Sequence, residues 1–359
     1  MPSSKITGHF APPRASEEIL VAIVLPVYNV SLYLRECLDS IQAQTYTNFV
    51  VFAIDDGSTD ESGAILDEYA RNDSRFCVIH KENQGVAAAR NVALEALERD
   101  SRFDGVCFID SDDYVLPNFI HTYVNLSKKY KADYVVCAWT TFDALGVDHI
   151  PRNHIPDHPL RVLDKDGVYK HYFNTNEWKN KSKTISLFCS NVYFSARSIV
   201  GLRFDERLVN AEDQDFRIRA LARINRGVIT SSSTYMYRLR KSSISHSMSD
   251  HLYDMIVNVR LLSATDGFPD SCIQEIENHA CSLWWLCVYS SVIDGTFETK
   301  REAIVAAFNA IRSHQFSNVK IRRRYWKKFF LFSLGKFFLK SYFLIRKKPK
   351  TEILLHAFP

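Results

Sequence analysis

Between residues 21 and 140 the chain alternates short, almost wholly apolar runs with amphipathic segments of about 12 residues. "VAIVLPVYN" (21–29), "FVVFAIDDGSTD" (49–60), "FCVIH" (76–80), "GVCFID" (105–110) and "ADYVVCAW" (132–139) each open as a strand buried on both faces. "SLYLRECLDSIQAQT" (31–45), "ESGAILDEYARN" (61–72) and "GVAAARNVALEALERD" (85–100) separate them as helices. In the first helix Leu34, Cys37, Leu38 and Ile41 recur at helical spacing, and Ser31 is placed as its N-cap. Pro117 opens a fourth helix. Such a series requires βαβ units, so the expected class is α/β, with a mostly parallel central sheet and flanking helices. Ligands of such sheets bind beyond the carboxyl ends of the strands. That rule lines up "PVYN", "DDGSTD" and "DSDD" along one edge.

The rest of the chain is less regular. Residues 141–188 are rich in His, Asn, Lys and Pro, show no period, and read as a long loop or insert. "SNVYFSARSIVGLRFDERL" (190–208) reads as a strand, a short helix and a turn. "NAEDQDFRIRALARIN" (210–225) is an amphipathic helix with Phe216, Ile218, Leu221 and Ile224 partly buried, and "GVITSSSTYMYRLR" (227–240) a further strand. Beyond about residue 250 the pattern is helical. The expected divisions are a leader at 1–18, an α/β domain at 19–245, a helical extension at 246–317 and a basic tail at 318–359. The leader lacks a continuous apolar core, so no secretory signal is expected. The eight cysteines are scattered without a CxxC pair, which predicts buried thiols in a reducing, cytoplasmic setting.

Three strand-end clusters carry chemistry. Asp110, Asp112 and Asp113 place three carboxylates within four positions after an apolar run. Like charges so close need a cation between them, and hard oxygen ligands with room for water suit Mg2+ or Mn2+. The competing reading is a solvated acidic turn. Asp55 and Asp56 end another strand, where a carboxylate can accept the ring N–H of a pyrimidine and Gly57 lets backbone approach. An ordinary Asp-Gly-Ser turn, with Asp60 capping the next helix, fits the same residues. Tyr28 offers a flat face to a base, and Arg90 follows three alanines that permit close packing. Glu212, Asp213 and Asp215 open a helix, where the dipole favours acids and where a general base can also stand.

Taken in order, "LPVYN", "CLDSIQAQT", "IDDGSTDES", "NQGVAAARNVALEA", "FIDSDDYVLP" and "AEDQDF" resemble the inverting family 2 glycosyltransferases of GT-A fold, over roughly residues 19–240. The likeness is strongest to bacterial enzymes that build capsule, lipooligosaccharide or other surface polysaccharide. The resemblance implies that Tyr28 and Asp56 hold the uracil of a UDP-sugar, with Arg90 close to the nucleotide. It implies that Asp110 and Asp112 form the DxD element beside ribose and diphosphate, and that Asp112 or Asp113 reaches a divalent metal (Mn2+ or Mg2+). Asp213 becomes the catalytic base, with Glu212 in acceptor or sugar contact. "YMYRLRKSSIS" (235–245) resembles a closing segment whose Arg and Ser residues cover the diphosphate. One departure stands out: Val192 in "SNVYF" replaces the lysine of the family's "NKLY". The implied reaction is a single displacement onto a hydroxyl of a growing glycan or lipid-linked saccharide, with inversion. A sugar nucleotidyltransferase and a non-catalytic glycan-binding homologue are the alternatives. The first lacks its glycine-rich phosphate loop in "PVYNVSLYL", and the retained acids oppose the second.

Charge is unevenly spread. From Ala303 to Thr351 there are 13 Lys/Arg and no Asp or Glu. With those removed from the chain's 45 cations, the remainder carries 32 against 41 acids, a net of −9. The tail interleaves cations with aromatics, and its longest uncharged run, Phe329 to Gly335, is too short to span a bilayer. Lys328, Lys336 and Lys340 fall near one helical face, with Phe329, Phe330, Phe337 and Leu344 largely elsewhere. This predicts an amphipathic helix on an anionic membrane surface, and hence a peripheral protein on the inner face of the plasma membrane. A packed helix with snorkelling lysines is the alternative. Nucleic acid is not an expected partner.

Overall fold

The computed structural model describes residues 5–7, 18–143, 160–173, 189–208 and 212–239. In the C-terminal part it describes 256, 268, 270–293, 296–317 and scattered positions from 320 to 332. The chain divides into two compact units, one of residues up to Val168 with 184–240, the other of 169–183 with 241–359.

The first unit is built on one sheet. Its centre is four parallel strands in the order β4 (Phe76–His80), β3 (Phe49–Asp55), β2 (Val21–Val27) and β5 (Gly105–Phe108). All seven residues of β2 and all seven of β3 are buried, as helix-covered faces require. A short β1 (Lys5–Thr7) adds antiparallel to β4. The chain order reverses at β2, so the loops after β2, β3 and β5 lie at the topological switch point. Beyond β5 the sheet continues through β9 (Val192–Ser195), antiparallel to both neighbours, to β7 (Tyr134–Asp143) and the parallel β10 (Arg226–Leu239). β6 (Tyr114–Val115) and β8 (Arg161–Asp164) pair antiparallel with β10.

The helices are α1 (Ser31–Gln42), α2 (Ser62–Asn72), α3 (Val86–Glu98), α4 (Phe119–Tyr130), α5 (Lys165–Phe173), the single turn α6 (Ala196–Ile199) and α7 (Glu212–Leu221). Leu34, Cys37, Leu38 and Ile41 face the core from α1 as expected. Ala87, Ala88 and Ala89 let α3 lie close on β2 and β3. Ser31 differs from expectation. It is the first helical residue, and its side chain caps nothing. Its backbone N–H instead donates to Asp60 Oδ2 at 3.0 Å, so the cap comes from the neighbouring strand end. The supposed loop at 141–188 also differs: β7 continues to Asp143, and 161–173 forms β8 and α5. The remainder of that stretch lies outside the described residues. Phe216, Ile218, Leu221 and Ile224 are fully rather than partly buried. Seven of the eight cysteines are buried free thiols, and Cys272 lies outside the described side chains.

The second unit contains α8 (Asp270–Ile293) and α9 (Phe297–Ser313), packed around the fully buried Trp284. The first described part of the basic tail belongs to this packing. Phe329 and Phe332 lie 5.3 and 5.2 Å from the Trp284 ring, and Phe332 lies 4.9 Å from Phe308. Lys328 sits over Trp285 and Tyr325. These aromatics therefore turn inward, which corrects the expectation that Phe329 meets lipid. Phe330 and residues 333–359 lie outside the described side chains. No helix among the described residues is long and apolar enough to cross a membrane.

Candidate active site

The loop after β2 starts with Tyr28, a residue 48% exposed, and Asn29 in left-handed backbone (φ 48°). Asn29 Oδ1 accepts the Thr59 N–H at 2.8 Å, and the Asn29 N–H donates to Ser58 Oγ at 3.1 Å. The ends of β2 and β3 are thereby laced together. Asp60 accepts from Ser31 and Ser62, and these bonds, against the opposing pull of burial, hold its carboxyl down at about 2. Gly57 needs φ +74°, and a Cβ there would stand 2.7 Å from the Asn83 nitrogen. Glycine is required because the 81–85 loop closes on the turn.

The two carboxylates of that turn are both buried and both held. Asp55 accepts from the Ser58 N–H at 3.0 Å and lies 2.8 Å from His80 Nδ1. The far ring nitrogen of His80 lies 3.1 Å from Asp67, so the imidazole is flanked by two acceptors. These carboxylates, against the opposing pull of burial, raise the His80 pKa. Asp56 accepts from Lys81 Nζ at 2.5 Å, the Gln84 N–H at 3.1 Å and the Gly85 N–H at 2.8 Å. The sequence reading passed over His80 and Lys81. They end β4, the strand beside β3, and the strand-end rule applies to them equally.

Arg90 is buried on α3, not on the surface. One terminal nitrogen donates to Asp110 Oδ1 at 3.0 Å, the other to Glu212 Oε1 at 2.8 Å, and the guanidinium lies 5.2 Å from the Phe204 ring centre. The DSDD loop after β5 and the start of α7 thus meet on one cation, although 122 residues separate Arg90 from Glu212. Arg90 Nε is buried without a hydrogen-bond partner among the described residues. Asp213 is half-buried beside Glu212, and burial together with the Glu212 charge pushes its carboxyl up to about 7. Asp215 is buried and spoken for by Arg219, at 2.9 and 2.5 Å.

The three carboxylates of the DSDD loop are not equivalent. Asp110 is partly exposed and Asp112 half-buried. Asp113 is 1% exposed, with one oxygen accepting from the Tyr235 hydroxyl at 2.7 Å and the other from the Arg238 N–H at 2.8 Å. Burial, then Asp112 and Asp110, push its pKa well up. Both oxygens are thus engaged inside the protein, where they lock the loop to β10, and Asp110 and Asp112 are the more accessible carboxylates. Arg238 completes that lock. Its Nε donates to the Asp112 carbonyl at 2.7 Å, its NH2 bonds Glu36, and its guanidinium lies over Tyr33 and Phe142. Residues 240–245 of the expected closing segment lie outside the described residues. Val192 is fully buried in β9, so it fills core where the family motif has a lysine.

Among the described residues no three His, Cys, Asp or Glu side chains form a protein-only metal cage. Asp110 and Asp112 remain as partly accessible oxygen donors beside one cation. That set fits Mg2+ or Mn2+, which hold a few carboxylates and complete their shell with water and phosphate oxygens.

Comparison with known proteins follows the same residues. The family described as Glycosyl transferase family 2 matches residues 22–199. The chain is 30% identical to glycosyltransferase GlyG of Streptococcus pneumoniae, over 63% of this chain and 72% of that protein. The chain belongs to glycosyl transferase family 2. It is 31% identical to glycosyltransferase GlyA of the same species over 69% of its length, but spans only 35% of GlyA. S. aureus TarS 1–349, solved with UDP-GlcNAc, shares the fold at TM-score 0.65 and 19% identity, covering 82% of each chain. The chain is thus a family 2 glycosyltransferase of GT-A fold, with a helical C-terminal region. A nucleotidyltransferase or a non-catalytic homologue is set aside.

Proposed function

We propose that this enzyme transfers a sugar from a UDP-sugar to a hydroxyl of a surface glycan or lipid-linked saccharide, with inversion to a β-linked product. The observation that supports it most is Arg90, which gathers Asp110 and Glu212 onto one buried cation and sets Asp213 beside them. Tyr28 supplies a face for the uracil and Asp56 accepts its ring N–H. Arg90 Nε, buried without a partner among the described residues, is a donor left over close to the nucleotide. Asp110 lies against ribose and diphosphate, and Asp112 holds the divalent cation. When bound, that Mn2+ or Mg2+ stabilises the negative charge of the departing diphosphate.

Asp213 takes the proton of the acceptor hydroxyl as that oxygen attacks the anomeric carbon from the face opposite UDP. A carboxyl raised to about 7 is matched to this work, since it is both substantially ionised and a better base than an ordinary aspartate. Glu212, fixed by Arg90, contacts the sugar or acceptor and keeps Asp213 a strong base through like charge. In-line attack needs no covalent glycosyl-enzyme.

The basic tail extends the same reading. A run of 13 cations from Ala303 to Thr351 draws the enzyme to the anionic cytoplasmic face of the plasma membrane, where a lipid-linked acceptor is presented. With Phe329 and Phe332 packed against Trp284, the attraction is chiefly electrostatic.

The test is transfer itself. Full-length protein is incubated with labelled UDP-sugars and Mn2+, with and without a saccharide acceptor, and the product anomer is read by NMR. A β-linked product formed only with acceptor supports the reading, and an α-linked product from an α-linked donor ends the single-displacement mechanism.

A further inference from the structure

Helix α7 presents its acids at the first turn, yet its apolar anchor lies further along. Phe216 is fully buried, stacked 4.0 Å from the Phe204 ring and edge-on to Phe108 of β5 at 5.7 Å. Helix ends fray, and Asp213 sits almost one turn before that anchor. Arg90 reaches only the side chain of Glu212. Two other groups hold Asp213 itself. The Gln214 N–H donates to Oδ1 at 2.7 Å, and no hydrogen bond among the described residues reaches Oδ2. The Cys189 thiol donates to the Asp213 main-chain carbonyl, with sulfur and oxygen 3.2 Å apart.

Cys189 is fully buried and fixed to the sheet by its neighbours. Ser190 bridges to Phe108, two residues before Asp110. Asn191, in left-handed backbone (φ 62°), donates from Nδ2 to the Cys137 carbonyl at 2.9 Å, and its own carbonyl accepts the Tyr123 hydroxyl. The thiol therefore ties the first turn of α7 to the strand that presents the DSDD loop. Burial, then Asp213, push the thiol pKa well up, with Arg90, Arg217 and Glu212 also acting on it. It stays a neutral donor and does not compete for a proton.

We propose that Cys189 is a positioning residue for the reaction: its S–H fixes the main chain at Asp213, so that Oδ2, the oxygen left over by Gln214, is held where the acceptor proton is taken. This rests on the reading of Asp213 as the base. A thiol is a weak donor, so the bond adds little to stability. Its value is geometric, since a displacement of about 1 Å at a catalytic group can cost about 100-fold in rate.

The experiment is transfer by the full chain and its Cys189→Ala, Cys189→Val, Cys189→Ser and Asp213→Asn variants, with a panel of labelled UDP-sugars, Mn2+ and a saccharide acceptor. Cys189→Ala and Cys189→Val should lose about 10- to 100-fold in kcat, while calorimetry shows UDP affinity within about threefold of wild type. Cys189→Ser, still a donor, should keep kcat within about threefold of wild type. Around Asp213 lie Glu212 on its own helix, Arg90 on α3, Asp110 of the DSDD loop and Cys189. The Cys189 variants leave the first three in place, so a moved pH limb reports a moved carboxylate. With less burial, the acidic limb of kcat/KM should shift from about 7 toward the ordinary aspartate value near 4 in Cys189→Ala. A thiol that only fills core predicts lower urea midpoints with wild-type kcat and an unmoved limb, and that result overturns the proposal. So does a Cys189→Ser variant as slow as Cys189→Ala. An inert Asp213→Asn beside an unchanged Cys189→Ala removes the positioning role alone. An active Asp213→Asn removes the base assignment, and the role of Cys189 falls with it.

Discussion

The two aspartate-rich strand ends of this sheet look alike in sequence and are held in opposite ways. After β3, Asp55, Asp56 and Asp60 are tied by backbone N–H groups, and Asp55 and Asp56 also by a cationic partner, His80 or Lys81. After β5, Asp110 leans on Arg90, which must also serve Glu212, while Asp213 is lifted toward neutrality. The first end is tied down by backbone N–H groups and by His80 and Lys81, a rigid arrangement suited to the proposed neutral base. The second shares one buried guanidinium between two carboxylates, an arrangement in keeping with the cation, diphosphate and proton transfer proposed there. Rigidity and electrostatic demand are thus divided between the strand ends that flank the switch point.

The sharpest way to break this comparison is to neutralise the base. Asp213→Asn should keep donor binding and lose transfer by about 100-fold or more. Asp215→Asn, whose carboxylate is already engaged by Arg219, should retain most activity. Transfer measured at saturating donor decides, and a crippled Asp215→Asn with an active Asp213→Asn would reassign the base. The sign of the pH dependence follows from the raised value. The base must be ionised, so kcat/KM of the wild-type enzyme should fall as pH drops through about 7. Asp213→Asn should flatten that limb.

Removing the shared cation should cost stability next. Arg90→Met leaves Asp110 and Glu212 facing one another across a buried site without compensation. The loss should be about 3–5 kcal/mol, the range for breaking a buried charge pair. Denaturant unfolding measures it. The double variant Arg90→Met with Glu212→Gln should recover part of the loss, and absence of any recovery would show that the guanidinium serves packing on Phe204 instead.

Within the DSDD loop the comparison becomes finer. Asp112→Asn should weaken Mn2+-dependent binding of UDP by about 10-fold or more, since it removes a charged ligand. Asp113→Asn should bind within about threefold of wild type, because its bonds run to Tyr235 and Arg238. An amide can still accept the Arg238 N–H, and the Tyr235 hydroxyl can turn to accept from the amide. Calorimetry with UDP and Mn2+ separates the two, and equal losses would return Asp113 to the metal.

The sequence made the sheet legible because β2 and β3 are unbroken apolar runs, and their carboxyl ends announce the site. The motifs of the resemblance meet in the structure, where Arg90 contacts Asp110 and Glu212 with Asp213 next in the chain. What remained hidden was which aspartate of the DSDD loop is buried against β10. The groups that decide it, Tyr235 and Arg238, lie more than 120 residues downstream, and three adjacent acids carry no mark of burial. β8 escaped because four residues of alternating burial give too short a period to read. The inward packing of Phe329 was hidden because a packed helix and a membrane-surface helix share one pattern of cations and aromatics.

The smallest effect concerns the β3 end. Asp60 bridges the starts of two helices, accepting the Ser31 N–H of α1 and the Ser62 N–H of α2. Asp60→Ala should therefore destabilise the fold by about 1 kcal/mol or less at pH 7, the scale of a lost helix cap at a solvent-exposed position. Its carboxyl sits at about 2 when folded, below the usual aspartate value near 4. A lowered folded value means that the contribution is fully present above about pH 4 and fades as pH falls toward 2. The difference between wild type and Asp60→Ala in urea midpoint should accordingly be constant from pH 7 to pH 5 and shrink by pH 3. A difference that persists unchanged at pH 3 would mean that Asp60 acts through shape rather than charge, and the contrast between the two strand ends would then rest on Asp55 and Asp56 alone.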